Sequence, residues 1–258
     1  MIFTRRQTLQ LGLTGLAAFG VTTIMPFSAR AQDAAGDSYE TENGEITIFP
    51  IEHASFVMTV PDIVIYVDPV GGAGAYEGHP PADLILVTHE HGDHFDAETL
   101  SALAGDQTRL LTNPSVFEKL PDDLKAKAAA LANGEETTVG DLGIEAIPAY
   151  NTTPERQQYH PEGRDNGYIL TVDGRRVYIA GDTEDTPEMR ALSDIYIAFV
   201  PMNLPYTMSV DQAASAVVEF APQYVYPYHY QGSDIQAFAQ KVAEAEEDIE
   251  VVQGPWYG

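Results

Sequence analysis

The chain has 258 residues, ordinary hydrophobic content for a globular protein and no cysteine. That excludes disulfides, thiolate metal sites and cysteine nucleophiles, and leaves histidine and carboxylate as the good metal ligands. A formal net charge of −26 argues against nucleic acid and anionic membranes as partners, and against a polyanionic substrate unless Arg156, Arg164 or a metal offsets it locally.

Residues 1–31 read as an export signal. Arg5-Arg6 is followed by a moderately apolar, Gly- and Ala-rich run from Leu11 to Phe27, and Ala29-Arg30-Ala31 supplies small residues for cleavage. The arginine pair resembles a twin-arginine (Tat) signal. Delivery by the Tat machinery to the periplasm or outside is therefore expected, with no stable membrane anchor after cleavage. Residues 32–44 are polar and acidic and are expected to be a flexible leader. The domain is expected to occupy 45–258. It opens with an antiparallel meander of strands at 46–51, 55–60 and 63–67, with a turn at Pro61-Asp62. A Gly- and Pro-rich loop, 70–81, carries His79, to which no role is assigned.

Asp83 to Val87 is an apolar run that reads as a buried strand, and Thr88-His89-Glu90-His91-Gly92-Asp93-His94 leaves its C-terminal end. His89, His91, Asp93 and His94 place four ligand-type side chains within six residues. Gly92 is expected to permit the turn that swings Asp93 and His94 away from His89 and His91, so that the cluster faces two ions. Helices are expected at 96–104, 115–120 and 121–131, around a strand at 109–112. Strands at 136–139 and 143–148 precede a long polar loop containing Asn151 and His160. A hairpin at 168–180 ends in Gly181-Asp182-Thr183. After it come a helix at 187–192, a strand at 195–200, a helix at 210–220 and a strand at 224–227 that ends in Tyr228-His229-Tyr230. A helix at 233–246 and a strand at 249–252 close the chain.

The HxHxDH stretch, with His53-Ala54-Ser55-Phe56, Asp68-Pro69, Gly181-Asp182-Thr183 and Pro227-Tyr228-His229-Tyr230 in this order, resembles the metallo-β-lactamase fold superfamily. The likeness spans most of 45–253 and is closest to the ascorbate-6-phosphate lactonase-like branch. It implies an α/β fold: a four-layer αβ/βα sandwich of two mixed β-sheets flanked by helices. It also implies His89, His91 and a third histidine on one divalent ion, Asp93, His94 and His229 on a second, and Asp182 bridging them. Relatives place the third histidine where Asn151 stands here, so His160 is expected to fold back as its replacement. Asp68 reads either as a support behind the metal loop or as a strand-end cap. His53 reads either as a pocket residue or as a hydrogen-bonded strand-end histidine.

The implied chemistry is hydrolysis of a small-molecule ester, lactone or phosphodiester by a metal-bridged hydroxide. Asp182 and Asp93 are the candidate catalytic carboxylates, with Tyr228 or Tyr230 as candidate oxyanion donors. Zinc suits an all-His/Asp site best, and manganese or iron also fits. The Asn151 departure supports a rival reading, an exported metal-binding protein of the same fold without turnover.

Overall fold

The computed structural model describes residues 36–257. The expected signal, 1–31, lies outside the described residues. The first sheet runs in sequence order through β1 (Asp37–Glu40), β2 (Glu45–Glu52), β3 (Ser55–Val60), β4 (Ile63–Val67), β5 (Leu84–Val87), β6 (Arg109–Thr112) and β7 (Ala128–Ala130). The second runs through β8 (Glu136–Val139), β9 (Leu142–Ala149), β10 (Asp165–Val172), β11 (Arg175–Ile179), β12 (Ile195–Pro201), β13 (Tyr224–Tyr228) and β14 (Glu250–Val251). In each sheet the first four strands are antiparallel and the last four are joined in parallel.

The period-2 alternation of each strand sorts its side chains between two cores. Phe56, Met58, Leu84 and Leu86 from one sheet meet Ile197, Phe199, Tyr226 and Tyr228 from the other in the inter-sheet core. The odd partners face outward. Val57, Ile85 and Val87 pack under α1 (Ala97–Leu103), α2 (Pro114–Lys119) and α3 (Asp122–Lys125). Ala198, Val200 and Val225 pack under α4 (Pro187–Arg190), α5 (Val210–Phe220) and α6 (Ile235–Glu244). Helix, sheet, sheet, helix is the four-layer sandwich. Among the described residues no helix is long and apolar enough to cross a membrane.

Two expectations need correction, and one further element enters the core unannounced. The leader does not stay flexible to residue 44, because β1 pairs with β2 along Asp37–Glu40 and buries Tyr39 in the inter-sheet core. Its polar composition hid a strand whose alternate residues face inward. The helix expected at 121–131 ends at Lys125, since Ala128–Ala130 adds to the sheet beside β6. There edge pairing outweighs alanine's helix propensity. The tail after β14 also enters the core. Trp256, the single tryptophan, is fully buried against Phe56, Phe199 and Tyr228.

Candidate metal centre

The loops leaving the parallel strands converge at one edge of the sandwich, where open α/β sheets bind ligands. β5 and β4 are parallel neighbours, so the residues following each strand lie side by side. Asp68, directly after β4 and fully buried, turns its carboxylate toward the loop after β5. It accepts the Thr88 N–H at 2.7 Å, the Thr88 hydroxyl at 2.7 Å and His94 Nδ1–H at 2.8 Å. Asp68 is therefore the support behind the metal loop. Its left-handed backbone, φ 45°, makes the sharp exit from the strand; His53 and His229 share that conformation at 53° and 45°. Such non-glycine φ values cost about 1–3 kcal/mol each and cluster at functional sites. Gly92 behaves otherwise. Its φ is not among the positive ones and a Cβ there would meet open space, so the turn expected of it does not require glycine.

The loop of the second sheet that answers Asp68 follows β11. Gly181 has φ 65° and a Cβ on it would come within 2.8 Å of the Asn166 carbonyl. Only glycine fits, and it sets Asp182 beneath the histidines. Asp182 Oδ2 lies 3.4 Å from His160 Nε2, 3.3 Å from His229 Nε2 and 3.9 Å from His89 Nε2, while its Oδ1 lies 3.3 Å from His94 Nε2.

Two groups of ligand-type atoms result, each within 4.8 Å of one another: His89, His91, His160 and Asp182, and His53, Asp93, His94 and His229. Asp182 reaches both. The structure thus brings His160, which the chain carries in the 150–164 loop, to His89 and His91. The Asn151 amide donates to the His160 carbonyl at 2.8 Å, and its side-chain nitrogen donates to the carbonyls of Arg156 and Tyr206. Asn151 anchors the loop that delivers the histidine.

These residues fit divalent ions. His94 Nδ1–H is engaged by Asp68, His160 Nδ1–H by Asp165 at 3.0 Å, and His89 Nδ1 by the Thr88 hydroxyl at 3.0 Å. Each tautomer leaves a lone pair on Nε2, and those three atoms are buried with no hydrogen-bond partner, as is Asp182 Oδ1. Carboxylate-held imidazoles with inward lone pairs are the usual ligand arrangement, and the absence of thiolate suits zinc, manganese or iron.

Without a metal the electrostatics divide: burial opposes charge on His94 and His160, yet Asp182 and Asp68 raise the first well above the ordinary histidine value and Asp165 and Asp182 raise the second, so an ion would displace a proton from each. Burial and the neighbouring His94 push His89 well below the ordinary histidine value; burial and His160 lower His91. Burial opposes charge on Asp182, yet His229, His94 and His160 outweigh it and hold the carboxyl well below the usual range. Asp93 is lowered likewise, burial being outweighed by hydrogen bonds from His229 and His53.

Apart from Asp68, sequence reasoning missed the residues that hold the candidate ligands. Asp165 grips His160 and is itself held by Arg164 at 2.7 and 2.8 Å. Glu184, fully buried, accepts from Thr152, Thr153 and Arg156, tying the His160 loop to the Asp182 loop. Tyr257 receives the N–H groups of Tyr230 and Gln231 and lies 2.8 Å from His53 Nδ1. With both lone pairs taken, its proton goes to His53, whose Nε2–H then donates to Asp93 at 3.2 Å. The polar and aromatic tail gave no periodic signal that could have found it. Tyr228 and Tyr230 do not take the oxyanion positions expected of them. Tyr228 is fully buried in the inter-sheet core, and Tyr230 packs on Tyr257. The tyrosines lining the cleft, of about 380 Å³, are Tyr159 and Tyr206. Glu90 of the motif points away, to Ser115 and to Lys119 at 2.8 Å.

The sequence profile of the beta-lactamase superfamily domain matches residues 47–229. A UPF0173 metal-dependent hydrolase of Pyrococcus abyssi is 31% identical over 159 residues, covering 60% of this chain and 69% of that protein. One from Methanopyrus kandleri is 28% identical, covering 78% and 93%. Among solved structures, a protein of Parabacteroides distasonis described as a metal-dependent hydrolase superposes with a TM-score of 0.77 at 46% identity, over 84% of this chain and 97% of that one. A metallo hydrolase of Ignicoccus hospitalis, at 24% identity and a TM-score of 0.66 over 81% and 95%, shares the fold. The paired His/Asp groups stand inside the matched span, and the chain belongs to the metallo-β-lactamase superfamily as a metal-dependent hydrolase.

Proposed function

We propose that the enzyme hydrolyses a small ester, lactone or phosphodiester at a dinuclear site. His89, His91 and His160 would hold one divalent ion and Asp93, His94 and His229 the other, with Asp182 common to both. Zinc fits the donor set best. When bound, such ions supply Lewis acidity and bring the pKa of water toward neutrality. The observation that carries this reading is Asp182, whose two oxygens lie 3.3–3.9 Å from four histidine Nε2 atoms. Its depressed pKa keeps it ionised, so Asp182 can orient the attacking water and hold its proton at Oδ1, which has no other partner. Asp93, half-exposed at the cleft and held by His53 and His229, is placed to receive a proton bound for the leaving group. The resemblance to the lactonase-like branch read from the sequence, at His53-Ala54-Ser55-Phe56 and Pro227-Tyr228-His229-Tyr230, supports lactones within this range. Metal analysis of the purified protein, with a panel of esters, lactones and phosphodiesters before and after chelation, tests the proposal. Two ions per chain and chelator-sensitive turnover are expected; full turnover after metal removal would refute it.

We further propose export through the Tat pathway, on the strength of Arg5-Arg6 and the apolar run that follows. Replacing Arg5-Arg6 by Lys-Lys should retain the precursor in the cytoplasm, and undisturbed delivery would overturn the Tat assignment.

A further inference from the structure

The cleft over the candidate metal centre has a floor of ligands and a rim of Tyr159, Asn203, Tyr206 and Gln231. No lysine or arginine lines it among the described residues. The two arginines closest in sequence to the ligand loop are both engaged. Arg156 binds Glu184 at 2.6 Å and the Thr207 carbonyl at 3.0 Å, and Arg164 binds Asp165 and the Tyr159 carbonyl. A phosphate or carboxylate on the part of the substrate away from the metals would meet no cation there, on a chain of net charge −26.

The rim and the loop that runs on from it offer apolar surface instead. Leu204 and Tyr206 are the exposed large hydrophobic residues of the described chain, at 53% and 45%, and both stand on the loop after β12. Tyr206 lines the cleft and meets Tyr159 edge-on at 5.0 Å between ring centroids. The loop is held closed: the Asn203 amide donates to the Thr207 hydroxyl at 2.7 Å, and the Tyr206 amide to the Asn203 carbonyl at 2.9 Å. Asn151 fastens this lip to the His160 loop through the Tyr206 carbonyl. A fixed apolar lip beside a reactive centre orders little on binding, which favours affinity.

From this lip and the absence of a free cation, and resting on the hydrolase reading above, we propose that the non-reacting arm of the substrate is uncharged and apolar. It is an alkyl or aryl group laid over Tyr206 and Leu204 while the scissile bond faces the metals. For a lactone, the oxygen of water bonds to the carbonyl carbon, the ring C–O bond breaks, and the proton of water passes to the departing alkoxide, giving the hydroxy acid.

Binding and turnover can be read apart. The affinity of γ-lactams, which lack the scissile ester, would be measured by calorimetry on the metal-loaded protein for side chains from methyl to octyl. The matching γ-lactones would be assayed for hydrolysis. Lactam affinity should rise about two-fold per methylene, half on a logarithmic scale of what full burial gives. Tyr206→Ala should flatten that slope, and Leu204→Ser should halve it. A lactam ending in a carboxylate should bind more weakly than its alkyl counterpart. A flat series, tighter binding of the carboxylate form, or an unchanged slope in a folded Tyr206→Ala protein would each overturn the apolar arm. Length-dependent lactam binding without hydrolysis of any lactone would remove the lactone reading and leave the arm. Hydrolysis with a flat lactam series would do the reverse.

Discussion

The two halves of the molecule have one plan and use it differently. Each is a seven-stranded sheet laid down in sequence order, antiparallel and then parallel. The turn between the second and third strands carries His53 in the first half, and the longer loop between the corresponding strands carries His160 in the second. The residue leaving the fourth strand region is Asp68 in one and Asp182 in the other. Asp68 looks backward, with both oxygens engaged by Thr88 and His94. Asp182 looks into the cluster, with Oδ1 unpartnered. The next strand ends in the His89–His94 loop in the first half and in the Asn203–Thr207 lip in the second. One strand-end geometry thus serves as a candidate ligand, as support for a candidate ligand, and as a wall, and the side chain with its partners decides which.

Removing the charge at each half's strand-end carboxylate tests this difference. Asp182→Asn should lower kcat by roughly 10³-fold with the fold intact, since orientation and proton holding are both lost. Near wild-type turnover would take Asp182 out of the mechanism. The next largest effect belongs to the histidine that crosses from the long loop. His160→Ala should lose about one metal per chain, as a site reduced to two histidines binds weakly. His79→Ala, whose ring packs on Phe49 away from the cluster, should lose none. Full metal content in His160→Ala, by elemental analysis, would show that His160 is not a ligand.

Asp68→Asn should weaken metal retention about 10–100-fold, the usual scale for a group that orients a ligand from behind. A fall in the kcat of the metal-loaded protein as large as that of Asp182→Asn would erase the distinction between the halves. Tyr257→Phe should cost less, about 10-fold in metal affinity, confined to the ion near Asp93. Cobalt spectra that change equally at both ions would contradict the placement of Tyr257 behind His53.

The smallest effect concerns Glu184, which has no buried counterpart after β4. Burial raises its pKa, but hydrogen bonds from Thr153 and Thr152 and the Arg156 guanidinium outweigh burial and hold it below its usual value. A carboxyl depressed in this way stabilises the fold above its unfolded pKa, and the contribution fades as pH falls through the folded value. The metal-free protein should therefore lose thermal stability on acidification below the ordinary glutamate range, and Glu184→Gln should shrink that loss. Identical pH profiles for the two proteins would remove Glu184 from the stitching of the two loops.

Much of this was legible in the sequence because it is local. The ligand motif sits at the end of an apolar run, and the period of that run fixes where the loop points. Asp182 follows a hairpin and a glycine, and His229 follows a buried strand. The sequence by itself therefore determined the order of the motifs and most of the candidate-ligand types, and its resemblance to the superfamily implied the two-sheet sandwich. What lies between segments distant in the chain was decided by the tertiary structure. β1 and β7 gain their strand character only from a neighbouring edge, so polar composition and alanine runs misplaced them. Asn151 turned from an apparent lost ligand into an anchor because two carbonyls, of Arg156 and Tyr206, converge on its amide. Tyr257 reaches His53 across 204 residues of sequence, and no local pattern records that approach. Ligands are chosen by side-chain chemistry, which a sequence states, but their orientation is set by hydrogen bonds made only once the sheets have closed.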